Sequence, residues 1–146
     1  MNQKTIVLGG DHAGFVYKEM VKICLEKEGY VVEDKGTHSL ESVDYPDFVH
    51  PVATYIEAGK ASCGILFCGS GNGVAMTANK HQEIRAAIAW TEELAELARQ
   101  HNNANVLAIP CRFVSEELAL NMVKTFLATE FEGGRHARRV GKIAMC

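Results

Sequence analysis

Five short runs, at 5–9, 30–34, 63–67, 85–89 and 105–109, are each followed by a stretch with helical periodicity. The most apolar of them, at 5–9, 63–67 and 105–109, lack the apolar–polar alternation of a half-wet strand and read as strands buried on both faces. Strands that alternate with helices form a parallel sheet, because each return to the starting edge needs a crossover. The chain is therefore expected to fold as a three-layer, Rossmann-like α/β domain with a five-stranded parallel sheet and a C-terminal basic helix. At 146 residues it fits one domain with a sizeable core, spanning 1–146.

The helical stretches carry their own punctuation. In the first, Phe15, Met20, Val21, Ile23, Cys24 and Leu25 form the apolar set, and Lys18, Glu19, Lys22, Glu26 and Lys27 the wet one. Gly29 follows as its stop. The second ends near 58–59, and Pro51 fits either its first turn or the interior of a helix that starts earlier. The third starts at Val74. The fourth opens at Thr91-Glu92-Glu93 and runs through Ala98, and the fifth opens at Ser115-Glu116-Glu117. Gly133-Gly134 breaks the chain before the basic segment 135–142.

In a parallel sheet of this kind ligands bind beyond the carboxyl ends of the strands, where the strand order reverses. The residues expected there are Asp11, His12, Thr37, Cys68-Gly69-Ser70-Gly71-Asn72-Gly73, Trp90, Thr91, Cys111 and Arg112. The glycine loop ends an apolar run and opens a helix, so its backbone N–H groups could hold an anion. Cys68, facing the positive end of that helix, would have a lowered thiol pKa and serve as base or nucleophile. A buried cysteine before an ordinary turn explains the same position. The loop is not a dinucleotide fingerprint, since Val74 and Met76 stand where G-x-G-x-x-G needs Gly or Ala. It is not a P-loop. Six residues after Cys68 comes Val74, where a cysteine phosphatase would need Arg.

Composition removes further classes. A net charge of -3 argues against a protein built mainly for nucleic acid. No apolar run is long enough to span a membrane, and the chain leads from Met1 into a strand rather than a signal-peptide core. The five cysteines are scattered, without paired spacing, which points to a reducing cytoplasm and to neither a zinc nor a disulfide framework. Cys24 and Cys63 read as core and Cys146 as an exposed terminal thiol. His38, His50 and His81 have no ligand spacing, so no metal site is expected.

Five motifs in order carry a resemblance along nearly the whole chain: Gly10-Asp11-His12-Ala13-Gly14, Asp44-Tyr45-Pro46, the loop from Cys68 to Gly73, Arg99-Gln100-His101-Asn102, and Gly133-Gly134-Arg135-His136 with Arg139. Together they resemble type B ribose-5-phosphate isomerase, in the family that also holds allose-6-phosphate and galactose-6-phosphate isomerases. Ser70 stands where other members have Thr, and still supplies a hydroxyl. The resemblance implies an aldose–ketose isomerase of the pentose phosphate pathway acting on ribose 5-phosphate and ribulose 5-phosphate; since backbone N–H groups can hold the oxyanion and the sequence shows no ligand cluster, neither cofactor nor metal is expected. It also implies a homodimer, in some members a dimer of dimers, with active sites shared between subunits and the segment 132–146 crossing to a neighbour.

The resemblance also implies residue roles. Cys68 would be the base at carbon, Asp11 and His101 the ring-opening acid–base pair, and Ser70 with the N–H groups of Gly69, Gly71 and Gly73 the oxyanion donors. Asn102 would orient sugar hydroxyls, with Tyr45 and Asn72 beside the substrate. Arg135 and Arg139, with Arg112 and His12, would take the phosphate. Without the resemblance, Asp11 reads equally as a helix cap, His101 and Asn102 as helix-end residues, and the arginines as a solvated face. Isomerisation of a six-carbon sugar phosphate needs the same chemistry. A non-catalytic sugar-phosphate-binding module is the rival of another class, and would have no need of a base at carbon.

Overall fold

The computed structural model describes residues 4–145. Strands β1 (Thr5–Gly10), β2 (Val31–Asp34), β3 (Cys63–Cys68), β4 (Ala86–Ile88) and β5 (Val106–Pro110) form one sheet in the order β2-β1-β3-β5-β4. Every pairing is parallel, as expected. The order reverses between β1 and β3: the chain first builds outward to β2, then returns to the other side of β1.

Side chains of β3 alternate between two cores. Ile65 and Phe67 join Val21 and Leu25 of α1 (Phe15–Lys27), Ala95 and Ala98 of α4 (Glu92–Asn102) and Met122 and Phe126 of α5 (Glu116–Ala128). On the other face, Leu66 and Cys68 join Val49, Val52 and Ala53 of α2 (Pro46–Glu57) and Val74, Ala75 and Ala78 of α3 (Asn72–Ala78). Both faces are covered, which is why the three inner strands β1, β3 and β5 are apolar rather than alternating, while the edge strand β2 ends in Glu33 and Asp34. Among the described residues, no helix is long and apolar enough to cross a membrane.

The structure decides one helix start that the sequence left open and moves the ends of two other helices. Helix α2 takes the earlier start, with Pro46 at its N-terminus and Pro51 inside. Helix α3 begins at Asn72, two residues ahead of Val74, directly after the left-handed Gly71. Helix α4 continues one turn past Ala98 to Asn102 and stops at Asn103, whose φ of 47° ends the helical run. The Arg99 guanidinium supports that turn by donating to Asn103 Oδ1 (3.0 Å), Ala104 O (2.6 Å) and Thr129 O (3.2 Å). The basic segment forms α6 (Arg135–Val140), which packs on α4 of its own chain. Glu132 N donates to Gln100 O at 3.1 Å at the entry to that contact. Cys146 lies outside the described residues.

Lys18 is not on a wet face. It shares the helical stripe of Val21 and Leu25 and is fully buried, while Ile23, expected in the core, is 53% exposed. Burial of an ammonium group requires a partner. Lys18 Nζ donates to Asp34 Oδ2 at 2.7 Å and to Glu19 Oε1 at 2.8 Å, and Lys22 Nζ lies 3.6 Å from Asp34. Burial alone would push the Asp34 carboxyl up, but the Lys18 hydrogen bond and the Gly36 N–H outweigh it and hold its pKa below 3.8. Breaking a buried pair by removing one member costs about 3 kcal/mol or more, because the other charge is left stranded. Lys18→Met should lower the unfolding free energy in urea by about that amount at pH 7. A depressed carboxyl pKa stabilises the fold above the unfolded value near 3.8 and loses that effect as pH falls through the folded value. Stability should therefore fall between pH 4 and lower pH in the parent, and fall less steeply in Asp34→Asn. Equal slopes would contradict this account.

Candidate active site

The reversal between β1 and β3 places the carboxyl ends of those two strands side by side, and the residues that follow them meet. Cys68, last in β3 and 8% exposed, donates its thiol to Asp11 Oδ2 at 3.4 Å. Asp11 is held from both sides: its N–H donates to Phe67 O at 3.2 Å, and its Oδ1 accepts from Ala13 N at 3.0 Å. Asp11 is not the cap of α1, whose N-cap is Gly14 with no side-chain bond; its Oδ1 closes the turn onto Ala13 N ahead of that helix and leaves Oδ2 to the thiol.

The thiol pKa runs opposite to the sequence expectation. Burial raises it first, then the Asp11 charge and the hydrogen bond to Asp11, against the lowering effect of the Gly69 and Gly71 N–H groups. Helix α3 spans seven residues, so the dipole that was expected to activate the thiol is small. A thiol donor to a carboxylate gains from staying protonated. Two N–H groups nevertheless stand ready to stabilise the thiolate once its proton leaves. Cys111 and Cys63 are pushed further, to about 12 and about 11, mainly by burial. Cys111 belongs to the core on the opposite face of the sheet from Cys68, its N–H donates to the Cys68 carbonyl (2.8 Å), and its thiol lies near enough for Cys68 and Asp11 to raise it further.

The glycine loop is shaped by its neighbours. Gly71 has a φ of 80°, which lets the chain turn from strand into helix. A Cβ on Gly73 would lie 2.4 Å from the Tyr45 ring, so the absence of a side chain there seats Tyr45 over the start of α3. Ser70 Oγ accepts from Asn72 N at 3.3 Å. The Arg112 side chain lies against Gly69, and the Arg112 backbone N–H donates to Gly69 O at 3.0 Å. His12 Nδ1 accepts from Val43 N at 3.2 Å, which fixes its proton on Nε2 and leaves that edge as a donor. Asp11, His12, Tyr45, Ser70, Asn72, the three glycines and Arg112 therefore gather with Cys68 at one edge. Trp90 and Phe113 stack edge to face on the same rim, with ring centroids 5.6 Å apart.

His101, Asn102, Arg135 and Arg139 are not brought there. Helix α4 leaves the carboxyl end of β4 and runs about 16 Å back across the sheet, so its last turn lies at the amino edge, just before β5. His101, Asn102 and Arg139 line one cleft there, of about 390 Å³, with His136, Val140 and Ile143. The His101 and His136 rings stack at 4.3 Å and 9°. Arg138 lies exposed on α6. Sequence spacing also missed a meeting on the far side of α2. His50 Nδ1 lies 2.7 Å from His81 Nε2, and His81 Nδ1 lies 2.9 Å from Glu57 Oε1. A helix and a loop separated by 31 residues bring the two rings together, which no local pattern reveals.

A doubly wound parallel sheet with a thiol, a carboxylate and a glycine loop at its switch point has the architecture of an α/β enzyme with a small-ligand site at that edge. The chain belongs to the Ribose/Galactose Isomerase family, which it matches over residues 6–143. It is 44% identical to ribose-5-phosphate isomerase B of Escherichia coli K12 over 140 residues, which is 96% of this chain and 94% of that one. Its fold superposes on ribose 5-phosphate isomerase of Thermotoga maritima with a TM-score of 0.95, at 48% identity and covering 98% and 99% of the two chains. Ribose-5-phosphate isomerase B of Mycoplasma genitalium, solved with bound ribulose-5-phosphate, is 40% identical with a TM-score of 0.93, over 98% of this chain and 95% of that one.

The Cys68–Asp11 contact makes a direct prediction. In Asp11→Asn both the negative charge and its pull on the thiol proton disappear, so the pH profile for iodoacetamide labelling of Cys68 should move to lower pH. Peptide mass spectrometry separates Cys68 from the other thiols. A profile that stays in place or moves upward would show that Asp11 does not govern the thiol.

Proposed function

We propose that the protein interconverts D-ribose 5-phosphate and D-ribulose 5-phosphate, in the cytoplasm, as a homodimer with shared sites in the pentose phosphate pathway. The observation that carries the substrate is the near full-length likeness to an isomerase that holds ribulose-5-phosphate. The observation that carries the chemistry is the buried thiol of Cys68 beside Asp11.

Isomerisation needs three things: an open-chain sugar, a base at C2, and donors for the enediolate. Cys68, as thiolate, takes the C2 proton. The C–H electron pair forms the C1–C2 double bond, and the carbonyl π pair moves onto O1. Returning the proton to C1, while the O2 proton passes to O1 and C2=O forms, completes the ketose. A raised thiol pKa lowers the thiolate fraction but makes the remaining base stronger, which suits a carbon acid. The Gly69, Gly71 and Gly73 N–H groups and the Ser70 hydroxyl are suited to the developing oxyanion, where a single donor is worth about 3–4 kcal/mol.

The ring-opening pair is completed across the dimer. His101 and Asn102 lie at the amino edge of their own sheet, away from Asp11, so the His101 that faces Asp11 comes from the second copy. Arg135 and Arg139 share that edge through the α4–α6 contact, and arrive with it. The phosphate then sits between His12 and Arg112 of one copy and the two guanidinium groups of the other. Whole amino edges are exchanged in this arrangement, with α6 remaining packed on its own α4. Their positive charge would also favour the Cys68 thiolate once substrate is bound.

Purified protein should turn over ribose 5-phosphate faster than allose 6-phosphate or galactose 6-phosphate. The reverse order would move the assignment to six-carbon sugars. Cys68→Ala should lower turnover about 10²–10⁴-fold and stop exchange of the C2 proton with solvent. Binding of the phosphorylated sugar should survive. A Cys68→Ala enzyme that exchanges the C2 proton at the parent rate would place the base elsewhere.

A further inference from the structure

Beside His101 at the amino edge stand Glu132 and His136, to which the isomerase reading gives no role. His101 closes α4, Glu132 lies between α5 and α6, and His136 sits in the first turn of α6. Glu132 Oε1 is 3.6 Å from His101 Nε2 and 3.7 Å from His136 Nε2, and the three donor atoms all lie within 4.8 Å of one another. The backbone fixes this meeting: Glu132 N donates to Gln100 O and His136 N to Gly133 O, each at 3.1 Å. His136 is mostly buried, at 12% exposure, whereas His101 and Glu132, at 41% and 51%, have room to turn.

We propose that His101, Glu132 and His136 form a binding site for a divalent transition-metal ion of the zinc class, and that its occupancy inhibits the enzyme. Tetrahedral zinc holds nitrogen and oxygen ligands at about 2.0–2.2 Å, which sets ligand atoms roughly 3.3–3.5 Å apart. The two histidine–carboxylate separations are within a few tenths of an ångström of that. Rotation of the exposed His101 ring out of its stack closes the remaining gap. Two imidazoles and one carboxylate leave a fourth position open to water, and this donor set favours zinc, copper or nickel over magnesium or calcium. Arg135 and Arg139 on the same helix oppose a second cation, so the expected affinity is micromolar rather than tighter. Metal binding itself needs only these three side chains. Its effect on turnover rests on the reading of His101 as the ring-opening group, because a nitrogen bound to metal can no longer carry a proton.

Titration of the metal-stripped dimer with Zn2+ against a chromophoric chelator should show one equivalent bound per chain at micromolar concentration. Co2+ in its place should give a visible spectrum without a thiolate charge-transfer band, which separates this site from the cysteines. Glu132→Gln and His136→Asn should each weaken binding about tenfold or more. His81→Asn, which breaks the other histidine pair, should leave it unchanged. Turnover should fall as Zn2+ fills the site and return with EDTA, and Glu132→Gln should keep its metal-free activity while losing that sensitivity. The absence of stoichiometric binding, or binding unaffected in both variants, would overturn the site. Full occupancy with undiminished turnover would overturn the inhibition and remove His101 from ring opening, whereas the Cys68→Ala exchange measurement judges the isomerase reading separately.

Discussion

Parallel strands must be joined by helices that run back across the sheet, and this return separates chemistry at the start of a helix from chemistry at its end. In this protein the separation is the governing constraint. Asp11, the glycine loop and Arg112 follow strands and so stand at the carboxyl edge with Cys68. His101 and Asn102 finish a helix and so stand at the amino edge, where α6 adds Arg135 and Arg139. In the reading proposed here a single chain therefore carries two half-sites that its own topology keeps apart. Two copies arranged so that the amino edge of one meets the carboxyl edge of the other supply a thiol, a carboxylate, an imidazole and guanidinium groups in one place, and a two-fold axis makes two such sites at once.

The carboxyl half-site is braced from behind. Asp34, paired with buried Lys18, accepts from Gly36 N at 2.9 Å. Gly36 O in turn accepts from Gly10 N at 2.9 Å, and Gly10 O accepts from Thr37 N at 2.8 Å. This chain of bonds ends one residue before Asp11. The buried ion pair contributes through placement: it fixes the end of β2 against the end of β1, and thereby the carboxylate against the thiol. A site whose supporting bonds come from a neighbouring strand depends less on its own loop, which suits a glycine-rich segment with little side-chain packing.

The sheet was legible in the sequence because strands buried on both faces show as apolar runs. The gathering of Asp11, Cys68 and Arg112 was legible because parallel topology puts every strand end at one edge. What escaped depended on partners distant in sequence. Lys18 reads as wet until Asp34 is known to lie beside it, although its place on the Val21–Leu25 stripe already pointed inward. The direction of the Cys68 pKa is set first by burial of the thiol and then by Asp11, 57 residues away. The last turn of α4 reads as a helix end without apolar periodicity, and is held in helix by Arg99 bonding to Asn103, Ala104 and Thr129. His101 and Arg139 were recognised through a resemblance; that they share the edge opposite Cys68 follows only from the path of α4 and α6.

Subunit mixing tests the shared site most directly. Cys68→Ala and His101→Asn homodimers should each be nearly inactive, one lacking the base and the other the ring-opening imidazole. Dissociation, mixing in equal amounts and refolding should make about half of the dimers mixed. In a mixed dimer one site carries both defects and the other carries none, so about a quarter of parental activity should return. If each chain built its site from its own Cys68 and His101, every site would keep one defect. Mixed dimers verified by mass and still inactive would contradict the account.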